Sequence, residues 1–341
     1  MKTNAQSRIL VLGGTGSLGY AVTRNFLAAG YHVTLLVRNP AKAEALFGAH
    51  PNLRLEPGDA QDLARLRAVS RGHAVIFHGI NYPYDQWFGN MDRVTDHVIE
   101  AASQEGALIV FPGNVYDYGL VTPIREDSVP RPVSRKGGLR VQLERTLARA
   151  AEAGRCRVLN VRLPDFWGPG VANYGTIPMF EGALRGQPLP WAVNADIPHQ
   201  FVYTPDAAEI IRRLVEAGPG QPYEVVNYGG QVQPTAREFL ARISRVAGQA
   251  PRVRVYPRLL FTVLAWFQPL MREVKEMLYL WGNSIILDDA AVRRRFPDFR
   301  ETPLDEAIIA TLRWFAEHRL QRQFEPAVAI SNQQAAAAAA A

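Results

Sequence analysis

The chain is poor in cysteine, in clustered histidine and in long apolar runs, and each scarcity closes off a class of protein. Cys156 is the one cysteine among 341 residues, so no intramolecular disulfide can form and a reducing compartment, the cytoplasm, is expected. The seven histidines show no metal-ligand spacing, which predicts no metal site. The stretch LLFTVLAWF at 259–267 is stopped by Pro269 and followed by Arg272, Glu273, Lys275 and Glu276. It is too short to span a bilayer, and it reads as a lobe-packing or dimer-packing helix in preference to one lying in a membrane surface. The polar start, residues 1–7, lacks the apolar core of a signal peptide.

Charge of one sign is not concentrated either. The formal net charge is +6, but the densest basic cluster, Arg293, Arg294 and Arg295, sits among Asp288, Asp289 and Asp298. No aromatic-interleaved basic groove is present, so no nucleic-acid partner is expected.

What remains is a globular composition, 48% hydrophobic and 21% charged, ample for a large core. Short apolar runs at 9–12, 33–37, 53–56, 74–78, 108–111 and 157–163 alternate with helical patterns at 18–29, 41–47, 62–69, 91–105 and 139–153. Strands that alternate with helices need crossovers, and crossovers give a parallel sheet covered on both faces. The fold class is therefore α/β, doubly wound. After 163 the rhythm breaks at Pro164, Gly168, Pro169, Gly170, Gly175 and Pro178, the mark of a lobe boundary. A strand at 200–203, a helix at 206–217 and a strand at 224–227 are expected to return to the first lobe. That divides the chain into a first lobe of 1–163 and 200–228, a smaller substrate lobe of 164–199 and 229–325, and a low-complexity tail at 326–341 that ends in alanines.

The most specific signal is RILVLGGTGSLG, in which Gly13, Gly16 and Gly19 follow the first strand and open the first helix. Such glycines permit a tight turn, backbone approach to a diphosphate and close helix packing, while the helix N-terminus offers unpaired amides to the anion. Thr15, Ser17 and Leu18 belong to the same loop. The end of the second strand lies over the adenosine ribose, where an acidic residue would select NAD; here stands Arg38, followed by Asn39. A cation there pairs with a 2′-phosphate, so NADP(H) is expected. Asp59, with Ala60, is placed to meet the adenine, or Asp59 serves only its turn.

Together these residues resemble the extended or atypical short-chain dehydrogenase/reductase superfamily, of the NAD-dependent epimerase/dehydratase type. GGTGSLG, VRN, GDAQD, NVYDYG at 114–119, EDSVPRP at 126–132, VRLPDFWGPG at 161–170, FVYTPDAAE at 201–209 and TPLDEAIIATLRWF at 302–315 carry the resemblance. It implies a Rossmann lobe, a substrate lobe and a cleft between them for the nicotinamide, bordered by His78, Asn81 and Pro164. It also implies a possible homodimer through exposed helices.

The resemblance fails where the chemistry should be. Typical members use a Tyr and a Lys four residues later. Counted back from Glu144, those positions fall on Lys136 and Arg140, and the customary Ser or Thr after the fifth strand is missing, leaving Asn114. Three readings stay open: Lys136 is the acid/base, crowded by Arg140; or Tyr116 or Tyr118 supplies the proton; or no redox chemistry occurs and Lys136 and Arg140 only bind the cofactor. On the substrate side, His199 and Gln200 stand where nucleotide-sugar enzymes often place an Arg. With Phe166, Trp167, Trp191 and 259–267 this points to a smaller or more apolar small-molecule substrate, with Asp165 as a candidate contact. The expected activity is an NADP(H)-dependent oxidoreductase acting on a small carbonyl, alcohol or sugar-like substrate. Its rivals are a non-catalytic NADP(H) sensor and an NAD(P)-dependent epimerase or dehydratase.

Overall fold

The computed structural model describes residues 7–327, so all but the start of the tail at 326–341 lies outside the described residues. Strand and helix alternate as β1 (Arg8–Leu12), α1 (Ser17–Ala28), β2 (His32–Val37), α2 (Pro40–Phe47), β3 (Leu53–Pro57), α3 (Leu63–Ser70), β4 (Val75–His78), α4 (Asn90–Glu105), β5 (Leu108–Gly113), α5 (Arg135–Glu152) and β6 (Arg157–Arg162). The caps are local. Asn39 and Asp62 each accept a hydrogen bond from a first-turn amide, of Lys42 and Arg65. Ser134 accepts from Gly137, which starts α5 a turn ahead of the periodicity expected from 139 and lifts Lys136 into its first turn.

Six of these strands and β10 (Tyr223–Asn227) form one parallel sheet in the order β10-β6-β5-β4-β1-β2-β3. Alternation along each strand feeds two cores. Ile9 and Val11 of β1 face Val22, Phe26 and the helix α7 (Thr204–Ala217), whereas Leu10 and Leu12 face Leu66, Val98 and Leu143. The strand order reverses at β1 and β4, and there the carboxyl ends open a crevice.

The remaining elements are β7 (Asp165–Trp167), α6 (Thr176–Leu184), β8 (Leu189–Ala192), β9 (His199–Tyr203), β11 (Gln231–Gln233), α8 (Ala236–Val246), β12 (Val253–Tyr256), α9 (Arg258–Phe267), α10 (Pro269–Lys275), α11 (Tyr279–Gly282), α12 (Ala290–Arg295) and α13 (Leu304–Leu320). Here the sequence expectation needs correcting. β9 does not join the large sheet; it pairs with β7 and β11 in a three-stranded sheet of its own. The reason is two-sided burial: Val202 packs into the first-lobe core while Phe201 stacks on Phe239 of the second. Trp167 and Trp191, expected near substrate, are buried in that second core, Trp167 stacked on Phe180.

Candidate active site

The turn after β1 is built on glycines for reasons of space. Gly13 has φ +77°, and a Cβ there would lie 2.5 Å from the carbonyl oxygen of Gly79. A Cβ on Gly19 would collide with the carbonyl oxygen of Gly13, so only glycine lets α1 sit this close to β1. Gly16 caps α1 without a side-chain bond, leaving the first amides, from Ser17 and Leu18, free of side-chain partners; Thr15 is half-buried beside them. Such a cradle can hold a diphosphate.

One strand over, Arg38 is exposed beyond β2, with no ion pair among the described residues. Asp59, beyond β3, accepts from the amide of Gln61 at 3.0 Å, so one of its oxygens serves the turn. Ala60 is buried and its carbonyl meets His97 at 3.1 Å. Asn81 is exposed past β4, and Pro164 is buried between β6 and β7. All stand at the carboxyl edge of the strands. A groove of about 590 Å³ is lined by residues of α3, α4 and α5, among them Leu63, His97 and Arg149, and no residue of the glycine turn borders it.

Three expected residues turn elsewhere. His78 was expected to border the cleft, but its imidazole is sealed beneath the sheet, 3.1 Å from the Thr95 hydroxyl. Burial, with the Arg140 charge, pushes it down to about 3. Arg140 does not crowd Lys136: its guanidinium lies over the Phe111 ring and donates to the Pro112 carbonyl at 2.6 Å, fixing the end of β5. Asn114 does not offer its carbonyl as a stand-in for a catalytic hydroxyl, because that oxygen accepts from the Tyr116 amide at 2.9 Å and shapes the turn.

Lys136 is fully buried and lies over the ring of Tyr84, 4.9 Å from its centroid. Its ammonium donates to Glu273 and, at 2.7 Å, to Glu276, so two carboxylates from the end of α10 answer one cation. Tyr118 is excluded as proton donor, since it is fully buried among Val115, Ile124 and Met277 with the Arg162 guanidinium over its ring.

Tyr116 fares differently. Its hydroxyl shares a 2.9 Å hydrogen bond with that of Tyr84, and Trp87 stacks on its ring. Burial pushes both phenols up, Tyr84 to about 12 and Tyr116 well above its ordinary value, and the negative charge of Asp165 adds to both rises. Asp165 in turn pairs with the His199 ring nitrogen at 3.0 Å. Gln200 is a structural clamp: its amide bonds the backbone of Leu287 from both ends. Tyr84, Glu273 and Glu276 are the residues that sequence reasoning missed. A signal existed for Tyr84, in the Asn81-Tyr82-Pro83-Tyr84 turn just past a strand end, but none for the glutamates beyond their i, i+3 spacing.

Residues 9–229 match the NAD dependent epimerase/dehydratase family. The chain belongs to that family. It is 27% identical over 269 residues to dTDP-6-deoxy-L-talose 4-dehydrogenase (NAD(P)(+)) of Kitasatospora kifunensis, covering 74% of this chain and 83% of that one. Among solved structures, an epimerase from Methanothermobacter thermautotrophicus superposes with a TM-score of 0.76 at 17% identity, covering 93% and 94% of the two chains. A double mutant of dTDP-glucose 4,6-dehydratase from Streptomyces venezuelae, with NAD bound, gives 0.73 at 20% identity, covering 92% and 98%. These likenesses agree on the doubly wound sheet. No described helix is long and apolar enough to cross a membrane.

Proposed function

We infer that this member of the epimerase/dehydratase family is an NADP(H)-dependent oxidoreductase that reduces a carbonyl on a small or sugar-like substrate. One observation carries the reading: Lys136 is engaged by two carboxylates, while the joined phenols of Tyr84 and Tyr116 stand at the same edge. The relative named for a 4-dehydrogenase of a dTDP-deoxysugar supports a sugar-like substrate.

In this reading the loop from Gly13 to Gly19 holds the diphosphate, Arg38 takes the 2′-phosphate, and Asp59 and Ala60 border the adenine. Asn81 and Pro164 border the nicotinamide end. A nicotinamide held there would supply hydride to the carbonyl carbon. Tyr116 gives its phenolic proton to the oxygen that becomes the alcohol, and Tyr84 donates a hydrogen bond to the phenolate left behind. Because burial raises both phenols, they are neutral at physiological pH. A neutral phenol is the form that gives a proton to the developing alkoxide, as this reduction requires.

The locking of Lys136 also favours a second reading, an NADP(H) sensor without turnover. Loss of NADPH absorbance across a panel of ketones, aldehydes, quinones and 4-keto sugar nucleotides separates the two. The enzyme reading expects turnover on some member of the panel, reduced by about 10²-fold to 10⁴-fold in Tyr116→Phe at unchanged NADPH affinity. Tight NADPH binding with no turnover on any member would replace it with the sensor.

A further inference from the structure

The helix α9 is built inside out for a soluble protein. Leu259, Val263, Trp266 and Phe267 follow the i, i+4, i+7, i+8 spacing that puts four side chains on one helical face, and Leu260 borders them. That face should be the buried one. Instead Leu259, Trp266 and Phe267 are 71%, 70% and 76% exposed, while the small Ala265 is what the helix buries. The helix was expected to pack lobes or a dimer together; its apolar stripe faces away from both lobes.

Three candidates could cover such a stripe, and charge decides between them. Arg254 precedes α9, Arg258 opens it, Arg272 and Lys275 follow it in α10, and all four are exposed. The one acid within α10, Glu273, is committed to Lys136. In a two-fold dimer built on this stripe the same cations would confront their own copies, a like-charge juxtaposition that opposes association. A protein partner of opposite charge would need its own apolar ridge set beside its acids. An anionic lipid surface meets every feature at once: it takes apolar side chains to shallow depth, accommodates a tryptophan at the headgroup level and attracts flanking cations. The ten residues of α9 are far too few to span, so the contact lies in the plane of the surface.

We propose that the α9 face, bearing Leu259, Val263, Trp266 and Phe267 between exposed arginines and a lysine, docks the protein on an anionic lipid bilayer. The neighbouring helix α10 ends on the glutamates that hold Lys136, so the docked face lies one helix from the candidate active site. This inference stands apart from the redox reading, and its test measures no turnover.

The test is co-sedimentation of the full chain with vesicles of phosphatidylglycerol and of phosphatidylcholine. The expected result is binding to the first, much weaker binding to the second, and loss of binding as salt rises. Trp266→Ser with Phe267→Ser should lower the partition coefficient at least about tenfold, and Arg258→Gln and Lys275→Gln about fivefold each. All four sites are exposed, and an unchanged circular dichroism spectrum and melting temperature establish that each variant is folded. Absence of binding to phosphatidylglycerol vesicles, or equal binding to both lipids, overturns the proposal, as does wild-type partition in the Trp266→Ser, Phe267→Ser protein. A vesicle-indifferent protein that sediments as a dimer, and reverts to monomer in that double variant, would assign the stripe to a second copy instead.

Discussion

Lys136 Nζ and Glu276 Oε1 lie 2.7 Å apart and join the first turn of α5 to the segment that closes α10. Glu273 completes the clasp. Replacing Lys136 by Met strands two neighbouring carboxylates without their cation. Breaking such a pair from one side costs about 3 kcal/mol, read as a lower urea midpoint. Were Lys136 also the proton donor, turnover would vanish under conditions where the variant is still folded, so measuring both separates a clasp from a catalyst.

Arg38, exposed past β2 and without an ion pair among the described residues, is the residue proposed to take a 2′-phosphate. Substitution by Asp removes a charge-assisted contact and adds a repulsion, which should weaken NADPH about 100-fold while leaving NADH within a few-fold. Isothermal titration with both coenzymes gives the ratio. An unaltered ratio would return Arg38 to the status of a solvated surface cation.

Adjacent glycines in α5 should respond with opposite signs. A Cβ on Gly137 would run into the backbone oxygen of Tyr116, whereas one on Gly138 would meet nothing within 4 Å. Gly138→Ala should therefore stabilise the protein by about 0.5–1 kcal/mol through helix propensity. Gly137→Ala should push α5 off the Tyr116 turn, costing about 1–3 kcal/mol and turnover with it. Chemical denaturation of the two single variants decides, and equal effects would refute the close approach.

His78 is held neutral in the folded chain, down to about 3, against an ordinary value of 6.5. Between those values the unfolded chain binds a proton that the native one does not, so His78 contributes stability above pH 6.5 that drains away as pH falls. From pH 7.5 to 5.5 this one group should remove about 1.4 kcal/mol. His78→Gln should flatten that slope in paired urea titrations, and a slope unchanged by the substitution would show that other groups set it.

The parts legible in the sequence were those written in short range. Glycine spacing and strand alternation each occupy a few neighbouring residues, and the large sheet follows from their rhythm. The first turn of α5 was hidden because Gly137 and Gly138 are poor helix formers, and only the Ser134 cap overrides them. The fate of Lys136 was hidden for a different reason: its partners Glu273 and Glu276 lie far along the chain, and no local pattern announces a pairing across that separation. Tyr84 and Tyr116 meet from two different loops, and Arg140 turned inward because Phe111 and Pro112 offered it a ring and a carbonyl.

The last strand of the large sheet, β10, seats against β6 only after the chain has left for the second lobe and come back. During synthesis, a nascent chain that has emerged only as far as β9 carries a nearly finished sheet whose outer ladder is bare. Any stall or truncation ahead of Tyr223 thus exposes a template for unwanted strand addition, and a chaperone that shields sheet margins would be needed most in that interval.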